Sequence, residues 1–560
     1  MAQLNFEGEP GLSERLPLLT DEANPIYDTA KPVSPIIKRD EEQVKDTDGG
    51  ELTPRELPPG FWGVVASLMI GVVVASIDTS IVMATFSQIG SEFGRLEDAN
   101  WMIVGYQLGL LATQPMYGKL SDIFGRKSLL LFAYTLFGAG CFWIGISKDF
   151  WQVIVGRAIS GVGGAGMMSL VSILLNDMVP LRDVASWRSY VYIAATMGRA
   201  FGAPLGGFLI DTIGWRWSFL GQVPLALLAI VMVSLRLKVE HKGKQSQAQT
   251  LKQRFQRIDF VGATTLAVSL SLLLVFLDQA SKEFSLENKT IVGAGIGSVT
   301  FGILFLLAEA YVAKEPILSL KVLANRDVVS VYSILGLTTG SQIALVTTVS
   351  MYFVITLNVS NTNAAARLVF NNICHALGGL AAGILIRRTG RYRRSLLLAI
   401  TISTVALILI TVRWRGHTNL LETAYLGPSG FGIGMINTIA FVALSASIDS
   451  KDQAMATSGF YLSDNLGYVI ITSLGNAVLQ IALGNRLQVR LEGVEDKETI
   501  IHNVTRSIWN INALPNDIRK EAVKAFVEAL QLDHLMSTIL FSTALFIATV
   551  FLREYSLEGR

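Results

Sequence analysis

The segment Gly118-Lys-Leu-Ser-Asp122-Ile-Phe-Gly125-Arg126-Lys127 has a counterpart further along the chain, Gly383-Ile-Leu-Ile-Arg387-Arg388-Thr-Gly390-Arg391. Counted from the first glycine, both segments carry a charged residue at +4, a glycine at +7 and an arginine at +8. Each lies at the end of an apolar run of about the length that crosses a lipid bilayer. Two copies at equivalent points imply two duplicated helical bundles that meet at a shared interface.

The composition of the 560-residue chain indicates that lipid is its main solvent. Hydrophobic residues make up 51% of the chain, charged residues only 16%, and the mean hydropathy is +0.47. A helix satisfies its own backbone hydrogen bonds, so apolar helices of about 20 residues are the natural unit for crossing hydrocarbon. The net charge of +2 favours no nucleic-acid partner, and Cys141 and Cys374 lie in apolar runs that support neither a disulfide framework nor a metal site.

Hydropathy predicts about fourteen membrane-spanning helices. Their approximate ranges are 64–89, 101–120, 129–146, 150–175, 190–213, 217–235, 258–277, 291–313, 328–356, 364–386, 396–412, 421–445, 455–483 and 536–552. Loops on the N-terminal side hold about 21 Lys and Arg residues and the short loops on the other side about 8, which predicts that both termini are cytoplasmic. This topology puts all three N-x-[ST] sequons, at Asn288, Asn358 and Asn503, outside the cytoplasm as glycosylation candidates.

Four further motifs accompany the repeated loop: Ile77-Asp78-Thr79-Ser80-Ile81-Val82 in the first span, Arg157-Ala-Ile-Ser-Gly161-Val-Gly-Gly164 in the fourth, Gly198-Arg-Ala-Phe-Gly202-Ala-Pro204-Leu-Gly206-Gly207 in the fifth, and Trp215-Arg216-Trp217-Ser-Phe219 at the start of the sixth. Together they resemble the fourteen-span drug:proton antiporter branch of the major facilitator superfamily, over nearly all of residues 60–555. Pro204 is one residue later than in the usual fifth-span pattern. Within the branch, residues 114–127 and 215–224 look most like fungal vacuolar basic amino acid transporters.

The resemblance implies an all-α polytopic membrane protein with the major facilitator fold, in which two six-helix bundles flank two extra central helices. We expect a disordered cytoplasmic tail at 1–60, the N-terminal bundle at 61–235, a basic linker and the extra helices at 236–327, and the C-terminal bundle at 328–555. The C-terminal bundle includes a non-cytoplasmic loop at about 484–535, within which residues 515–532 have the spacing of an amphipathic helix lying along the membrane surface.

Charged residues inside the spans are the candidates for transport chemistry, because each costs at least about 2.5–3.5 kcal/mol to insert. Asp78 could release and rebind a proton as its surroundings alternate between wet and dry. Arg157 is its natural counter-charge, and the resemblance implies that it tunes that exchange. In the second half of the chain, Asp464 is the acid that we expect to bind a cationic substrate. The alternatives are a structural carboxylate at Asp78, a bundle-stapling arginine at Arg157 and a helix-end polar cluster around Asp464.

Two other charged residues in the spans have no assigned partner from sequence. Arg199 adds positive charge where the fifth-span motif favours small residues, and it could balance Asp78 or Asp211. His375 could titrate in the acidic range or make only a polar contact.

The repeated loops are candidates for a gate, because a carboxylate and a guanidinium on a tight turn can pair with helix ends in one state and separate in the other. The alternative is that their charges only fix the topology. The loop residues concerned are Gly118, Asp122, Gly125, Arg126, Lys127, Gly383, Arg387, Gly390 and Arg391. In the fifth span, small residues would permit close helix packing at Gly198, Gly202, Pro204, Gly206 and Gly207.

The leading functional hypothesis is proton antiport that loads a cationic metabolite, such as lysine, arginine or histidine, into the vacuole. The tail carries an acidic-dileucine spacing, Glu14 ahead of Leu18 and Leu19, which resembles signals that sorting adaptors read. The alternatives are a plasma-membrane efflux pump for drugs or toxic metabolites and a nutrient-sensing transceptor. The sequence contains no phosphate-binding G-x-x-x-x-G-K-[ST] loop and no HExxH or G-x-S-x-G motif. We therefore expect a transporter without cofactor, metal or enzymatic activity. We also expect it to be a monomer.

Overall fold

The computed structural model describes residues 61–95, 98–99, 101–237, 257–282, 287–313, 315–359, 361–494, 496–506, 508–555 and 557. The predicted tail at 1–60, with the sorting motif Glu14, Leu18 and Leu19, lies outside these residues, as does most of the basic linker between the two halves.

The first half of the described chain consists of helices separated by short turns. They are α1 (Phe61–Glu92), α2 (Trp101–Thr113), α3 (Met116–Phe124), α4 (Arg126–Gly145), α5 (Phe150–Met178), α6 (Leu181–Thr212), α7 (Arg216–Leu220) and α8 (Gln222–Arg236). Pro115, which cannot donate a backbone hydrogen bond, separates α2 from α3 within the predicted second span. The sixth span is likewise divided, into α7 and α8.

The extra pair and the second half follow in the same manner. The extra helices are α9 (Phe260–Lys282) and α10 (Lys289–Tyr311), and the second half comprises α11 (Leu320–Leu323), α12 (Arg326–Leu357), α13 (Asn361–Thr389), α14 (Arg393–Arg413), α15 (Leu420–Thr423), α16 (Leu426–Ala446), α17 (Gln453–Arg490), α18 (Lys497–Arg506) and α19 (Asn516–Val550). Within the described ranges, thirteen helical segments are long and apolar enough to cross a membrane, and α2, in the divided second span, is a shorter apolar helix.

The two halves repeat one packing scheme. In the first half α1 packs on α5, α6 and α8, and α4 packs on α5 and α8. In the second half α12 packs in the same way on α16, α17 and α19, and α14 on α16 and α19. The duplication inferred from the two loop segments is therefore present in the fold as two six-helix bundles.

The bundles meet along two sides of a common interface. On one side α6 packs against α13 and α16, and on the other α3 and α5 pack against α17. Of the extra helices, α9 contacts both α2 of the first bundle and α17 of the second. It lies against both halves, as expected for a central pair.

Two helices differ from the sequence-based ranges because hydropathy stops at charged residues although the helix continues. The fifth span begins at Leu181, nine residues before the predicted start at Tyr190. The helix predicted at 515–532 is present, but its predicted orientation along the membrane surface is wrong, since α19 runs unbroken from Asn516 to Val550 into the last span. The region predicted as a loop at 484–535 is largely helical, and Arg519 of its last helix donates a 3.1 Å hydrogen bond to Asn358.

Candidate functional site

Asp78 and Arg157 form a buried ion pair inside the first bundle. Arg157 Nη1 lies 2.6 Å from Asp78 Oδ2, and the two side chains are 1% and 0% exposed. Arg157 Nε also donates to the Met102 carbonyl oxygen at 3.2 Å, and Gln222 Nε2 donates to Asp78 Oδ1 at 3.3 Å. The guanidinium stacks 4.4 Å from the centre of the Tyr106 ring. The pair is enclosed by side chains and backbone of α1, α2, α5 and α8.

The glycines of the fifth-span motif bring α6 against the part of α1 that carries Asp78. A Cβ at Gly198 would lie 2.7 Å from the Val73 carbonyl oxygen, and one at Gly202 would lie 2.7 Å from that of Ile77. Gly206 is also close to α1, at 3.4 Å from Ile81, whereas Gly207 faces open space. α6 continues through Pro204 as one helix. Close packing thus requires glycine at 198 and 202, while nothing near Gly207 demands it.

Three residues of α6 line the interface between the bundles on one face of the helix. Arg188, Tyr192 and Arg199 are spaced by four and seven residues, which places them on one helical face. The Arg188 guanidinium is buried, donates to Ser172 Oγ at 2.7 Å and to Tyr461 OH at 2.6 Å, and lies 4.0 Å from the centre of the Phe441 ring. Arg199 is instead an exposed residue of the protein chain. Arg188 therefore joins the halves.

The second bundle presents an acid and an imidazole to this positive face. Asp464 of α17 is within electrostatic range of Arg188 and Arg199, and its Oδ1 accepts no hydrogen bond. His375 of α13 is in range of Arg199, its Nε2 has no partner, and its ring centre lies 5.9 Å from that of Tyr192. Asp464 is thus an acid that faces Arg199, whereas Asp78, one of the two partners considered from sequence, pairs with Arg157. The side chain of the other, Asp211, lies outside the described residues.

The named contacts between the bundles cluster at the end that carries the repeated loops, here called the loop end. A Cβ added at Gly118 of α3 would lie 2.8 Å from the Ala454 carbonyl carbon of α17, and one at Gly383 of α13 would lie 3.0 Å from Ser186 Cα of α6. Each loop thus brings its bundle against the other. The +7 glycines Gly125 and Gly390 both have positive φ, of 91° and 64°, a conformation that glycine adopts without strain.

The charged residues of the first loop pair mainly within their own bundle. Arg126 forms ion pairs with Asp122 at 2.7 Å and with Asp177, near the end of α5, at 3.1 Å. Lys127 donates to the Ser234 carbonyl oxygen at 2.7 Å. In the second loop Arg387 crosses the interface to Asp183 of α6 at 3.3 Å, and Arg391 is exposed. The second loop therefore makes a charged contact between the bundles that the first does not.

Lys119 of the first loop reaches the segment that follows the extra helices. It pairs with Glu315 at 2.7 Å, and Arg257 pairs with the same carboxylate at 2.7 Å. Partial burial opposes ionisation of Glu315, but hydrogen bonds from Arg257 and Lys119 outweigh it and lower its pKa below the usual 4.5. The lowered pKa means that these pairs contribute stability above about pH 4.5 and lose it only as the pH falls through the lower folded-state value.

We therefore expect Glu315→Gln to lower the unfolding free energy at pH 7 slightly, by about 1 kcal/mol or less because the pair is partly exposed. Melting curves of the purified chain and the variant, taken from pH 7 to pH 3.5, check this. The difference in melting temperature should persist at pH 5 and decline as the pH falls below 4.5. A difference that has already vanished by pH 6 would contradict the lowered pKa.

The three sequons lie at the end opposite the loop end, as the alternating helix directions require. Asn288 caps α10 by accepting from the Thr290 amide at 3.0 Å, and Asn358 follows α12 with φ of 51°. Asn503 is exposed on α18. Their glycosylation remains a prediction.

Sequence reasoning missed four ionisable or polar residues that the structure places inside the bundles. Arg188 and Tyr192 belong to the interface, and Asp533 and His534 lie buried in α19. Arg188, Asp533 and His534 were missed because they fell just outside the predicted ranges 190–213 and 536–552. A signal was present for Arg188, since its spacing of eleven residues from Arg199 is three helical turns. Among the described residues, no three His, Cys, Asp or Glu side chains are placed to hold a metal ion.

Comparison with known proteins agrees with this architecture. The Major Facilitator Superfamily matches residues 68–472. The vacuolar membrane amino acid uptake transporter fnx2 and the multidrug resistance protein fnx1 of Schizosaccharomyces pombe are each 30% identical to this chain, over 88% and 85% of it and 84% and 89% of their own lengths. Vacuolar basic amino acid transporter 2 of Saccharomyces cerevisiae is 27% identical over 80% of this chain and 96% of its own.

Solved structures share the fold at low identity. The human organic anion transporter MFSD10 superposes with a TM-score of 0.57 at 13% identity, covering 88% of this chain and all of that one. The proton:xylose symporter XylE superposes with a TM-score of 0.55 at 13% identity, covering 90% and 98%. The family match, the relatives and the repeated bundles lead to one conclusion: the chain is a multi-pass membrane transporter that belongs to the Major Facilitator Superfamily.

Proposed function

We propose that the chain is a proton-coupled antiporter that moves basic amino acids into the vacuole. The observation that carries the proposal is the pair of opposite charges across the bundle interface, Arg199 on α6 and Asp464 on α17. Arg199 is an exposed residue, and Asp464 Oδ1 has no hydrogen-bond donor. Thr339 hydrogen-bonds to the Asp464 carboxylate, so a ligand would approach Asp464 through its unpartnered Oδ1.

An amino acid carries the charges that such a site recognises. Its carboxylate matches the planar guanidinium of Arg199, and an ammonium group can donate to the free oxygen of Asp464. Tyr192 and His375 lie beside these two residues and offer further polar contacts. Because Asp464 belongs to the second bundle, we expect the cationic group of the substrate to bind on that side of the interface.

Proton coupling is assigned to Asp78. Its ion pair with Arg157 is sealed from water in this conformation, and a carboxylate so placed can exchange its proton only when the surrounding helices move. Gly198 and Gly202 bring α6 directly against α1 at this point. Movement of α6 at the interface would thus be transmitted to the helix that carries Asp78.

The proposed cycle alternates between two closures of the interface. Here the bundles are closed at the loop end through Gly118, Gly383 and the Arg387–Asp183 pair. With the loops on the cytoplasmic side, as the distribution of Lys and Arg predicts, this conformation is closed towards the cytoplasm, and separation of the bundles at the other end would give access from the vacuolar lumen. An acidic lumen would then supply protons, at about 1.4 kcal/mol per proton for each pH unit.

Efflux of drug-like cations is the second candidate function. The multidrug resistance protein fnx1 is as similar to this chain as the amino acid transporter fnx2 is. Aromatic rings also surround the interface at Tyr192, Phe441 and Phe460, and aromatic surfaces bind organic cations. The Arg199 guanidinium argues against it, because a cationic drug without a carboxylate would be repelled there.

The deciding experiment measures uptake into acid-interior vesicles that contain only this protein. We expect labelled lysine to accumulate, and a protonophore to abolish the accumulation. Ethidium, a cationic probe without a carboxylate, should not accumulate. Ethidium uptake without lysine uptake would overturn the amino acid assignment and favour drug transport.

A substitution at Asp464, the residue proposed to bind the substrate ammonium group, tests the assignment more directly. Asp464→Asn removes a charged hydrogen-bond acceptor worth about 1.5–3 kcal/mol, so KM for lysine should rise roughly ten- to hundredfold. Glu492→Gln removes an exposed carboxylate outside the interface and should leave KM unchanged. An equal KM in both variants would remove Asp464 from the binding site.

A further inference from the structure

Asp533 is a carboxyl group buried in the second bundle with no partner. Its side chain in α19 is fully buried, and neither carboxyl oxygen takes part in a hydrogen bond. Ser537, one helical turn further on and on the same face, is also buried with an unpartnered hydroxyl. Three buried polar oxygens thus have no hydrogen-bond partner among the described residues, although buried polar atoms in proteins are nearly always paired.

The carboxyl group lies where three helices of the second bundle meet. A Cβ added at Gly475 of α17 would lie 2.6 Å from Asp533 Oδ1 and 3.6 Å from the Ala344 Cβ of α12. The site therefore has walls from α12, α17 and α19. Glycine at 475 leaves room for the carboxyl group, which a larger side chain would fill.

This place corresponds to the Asp78 site under the internal repeat. α12 and α19 of the second bundle occupy the positions of α1 and α8 in the first. Asp78 is 17 residues from the start of α1, and Ala344 is 18 residues from the start of α12. Each bundle therefore holds a buried acid at the same depth. The first acid is paired with Arg157, whereas the second has no arginine.

The titratable groups around α19 that are named here either point away from Asp533 or have other partners. His534 follows Asp533 but points about 100° away around the helix, with its ring edge-on to Trp414 at 6.1 Å and both nitrogens unpartnered. On the packed helices and their ends, the titratable groups engage other partners: Tyr352 of α12 with Thr418, Arg413 of α14 with Glu422, and Arg486 and Arg490 of α17 with Glu528. No cation among the described residues thus neutralises Asp533.

We propose that Asp533 is a second proton-binding site, in the last helix of the second bundle and separate from both Asp78 and Asp464. An ionised carboxylate without partners is very costly to bury, so the carboxyl group holds its proton while α12, α17 and α19 are packed together. When these helices separate and water enters, the proton leaves and the carboxylate is hydrated. Proton binding here does not require that lysine be the substrate; only the transport measurement below rests on the proposed function.

Infrared spectroscopy tests the protonation directly. The purified full-length chain at pH 7 should show the carbonyl stretch of a protonated carboxyl group, sensitive to exchange into D2O, that is absent from Asp533→Asn. Asp517→Asn, which changes an exposed acid at the start of the same helix, should retain this band and lose only carboxylate absorption. If Asp533→Asn also loses only carboxylate absorption, Asp533 is ionised and the proposal is overturned.

Transport separates a proton site from a structural carboxyl group. Exchange of labelled for unlabelled lysine needs no net proton movement, so Asp533→Asn should keep exchange within twofold and lose at least tenfold of proton-driven accumulation. If exchange and proton-driven accumulation fall to the same extent, Asp533 has a structural role and the proposal is overturned. If both are retained, Asp533 carries no proton needed for transport, and the proposal is overturned as well. If the wild-type chain takes up no lysine, the proposed function fails, and the infrared result still decides whether Asp533 carries a proton.

Discussion

Asp78→Asn should abolish proton-driven lysine uptake and lower the unfolding free energy by about 3–5 kcal/mol, the usual effect of removing one member of a buried ion pair. The reason is that Arg157 would remain as a positive charge 1% exposed without its anionic partner, with only uncharged acceptors such as the Met102 carbonyl oxygen beside it. Melting of the purified variant and uptake into acid-interior vesicles measure the two effects.

A double variant distinguishes the structural from the proton-carrying role of this pair. In Asp78→Asn with Arg157→Gln, both charges are gone and the two amides can hydrogen-bond to each other. We expect most of the lost stability to return, while proton-driven uptake stays absent because no titratable group remains. Full uptake by either variant would exclude Asp78 as the proton carrier.

Gly118→Ala should shift the transporter away from the conformation that is closed at the loop end. The added Cβ would meet the backbone of Ala454 and lie 2.8 Å from Ser458 Oγ, and backbone atoms cannot rotate away. Overpacking of this kind costs about 1–3 kcal/mol, which corresponds to roughly a 5- to 150-fold shift between two conformations. Gly383→Ala should have a smaller effect, since its Cβ would lie 3.0 Å from Ser186 Cα.

Labelling of a buried cysteine measures the shift. Ser189 is buried between the bundles on the far side of the interface from Gly118 and donates to the Gly379 carbonyl oxygen at 2.5 Å. In a background without Cys141 and Cys374, Ser189→Cys should react with a thiol reagent faster when Gly118→Ala is present. Gly207→Ala is the matched control, because nothing lies within 4 Å of its added Cβ. Equal labelling in the three backgrounds would show that contact at Gly118 does not set the closure.

The sequence determined the fold class, the duplication and most helix positions, because these depend on local properties. Apolar runs of bilayer length specify the spans, and a charged glycine turn repeated after the second and tenth spans specifies two equivalent bundles. The motif around Gly202 identified a helix that must pack closely, since only small residues permit such an approach. The Asp78–Arg157 contact follows the expectation that Arg157 is the counter-charge to Asp78, although their proton-carrying role remains a prediction.

Only the tertiary structure decided which charges meet. Asp464 and Arg199 are 265 positions apart, and their facing positions depend on how the two bundles are docked, which no local pattern encodes. Burial also depends on the tertiary structure. Hydropathy places Asp533 and His534 outside the predicted span, but both are buried in the bundle because α12, α14 and α17 pack around α19. Local sequence specifies a helix and its apolar face, whereas the partner and solvent access of a polar side chain depend on helices distant in the chain.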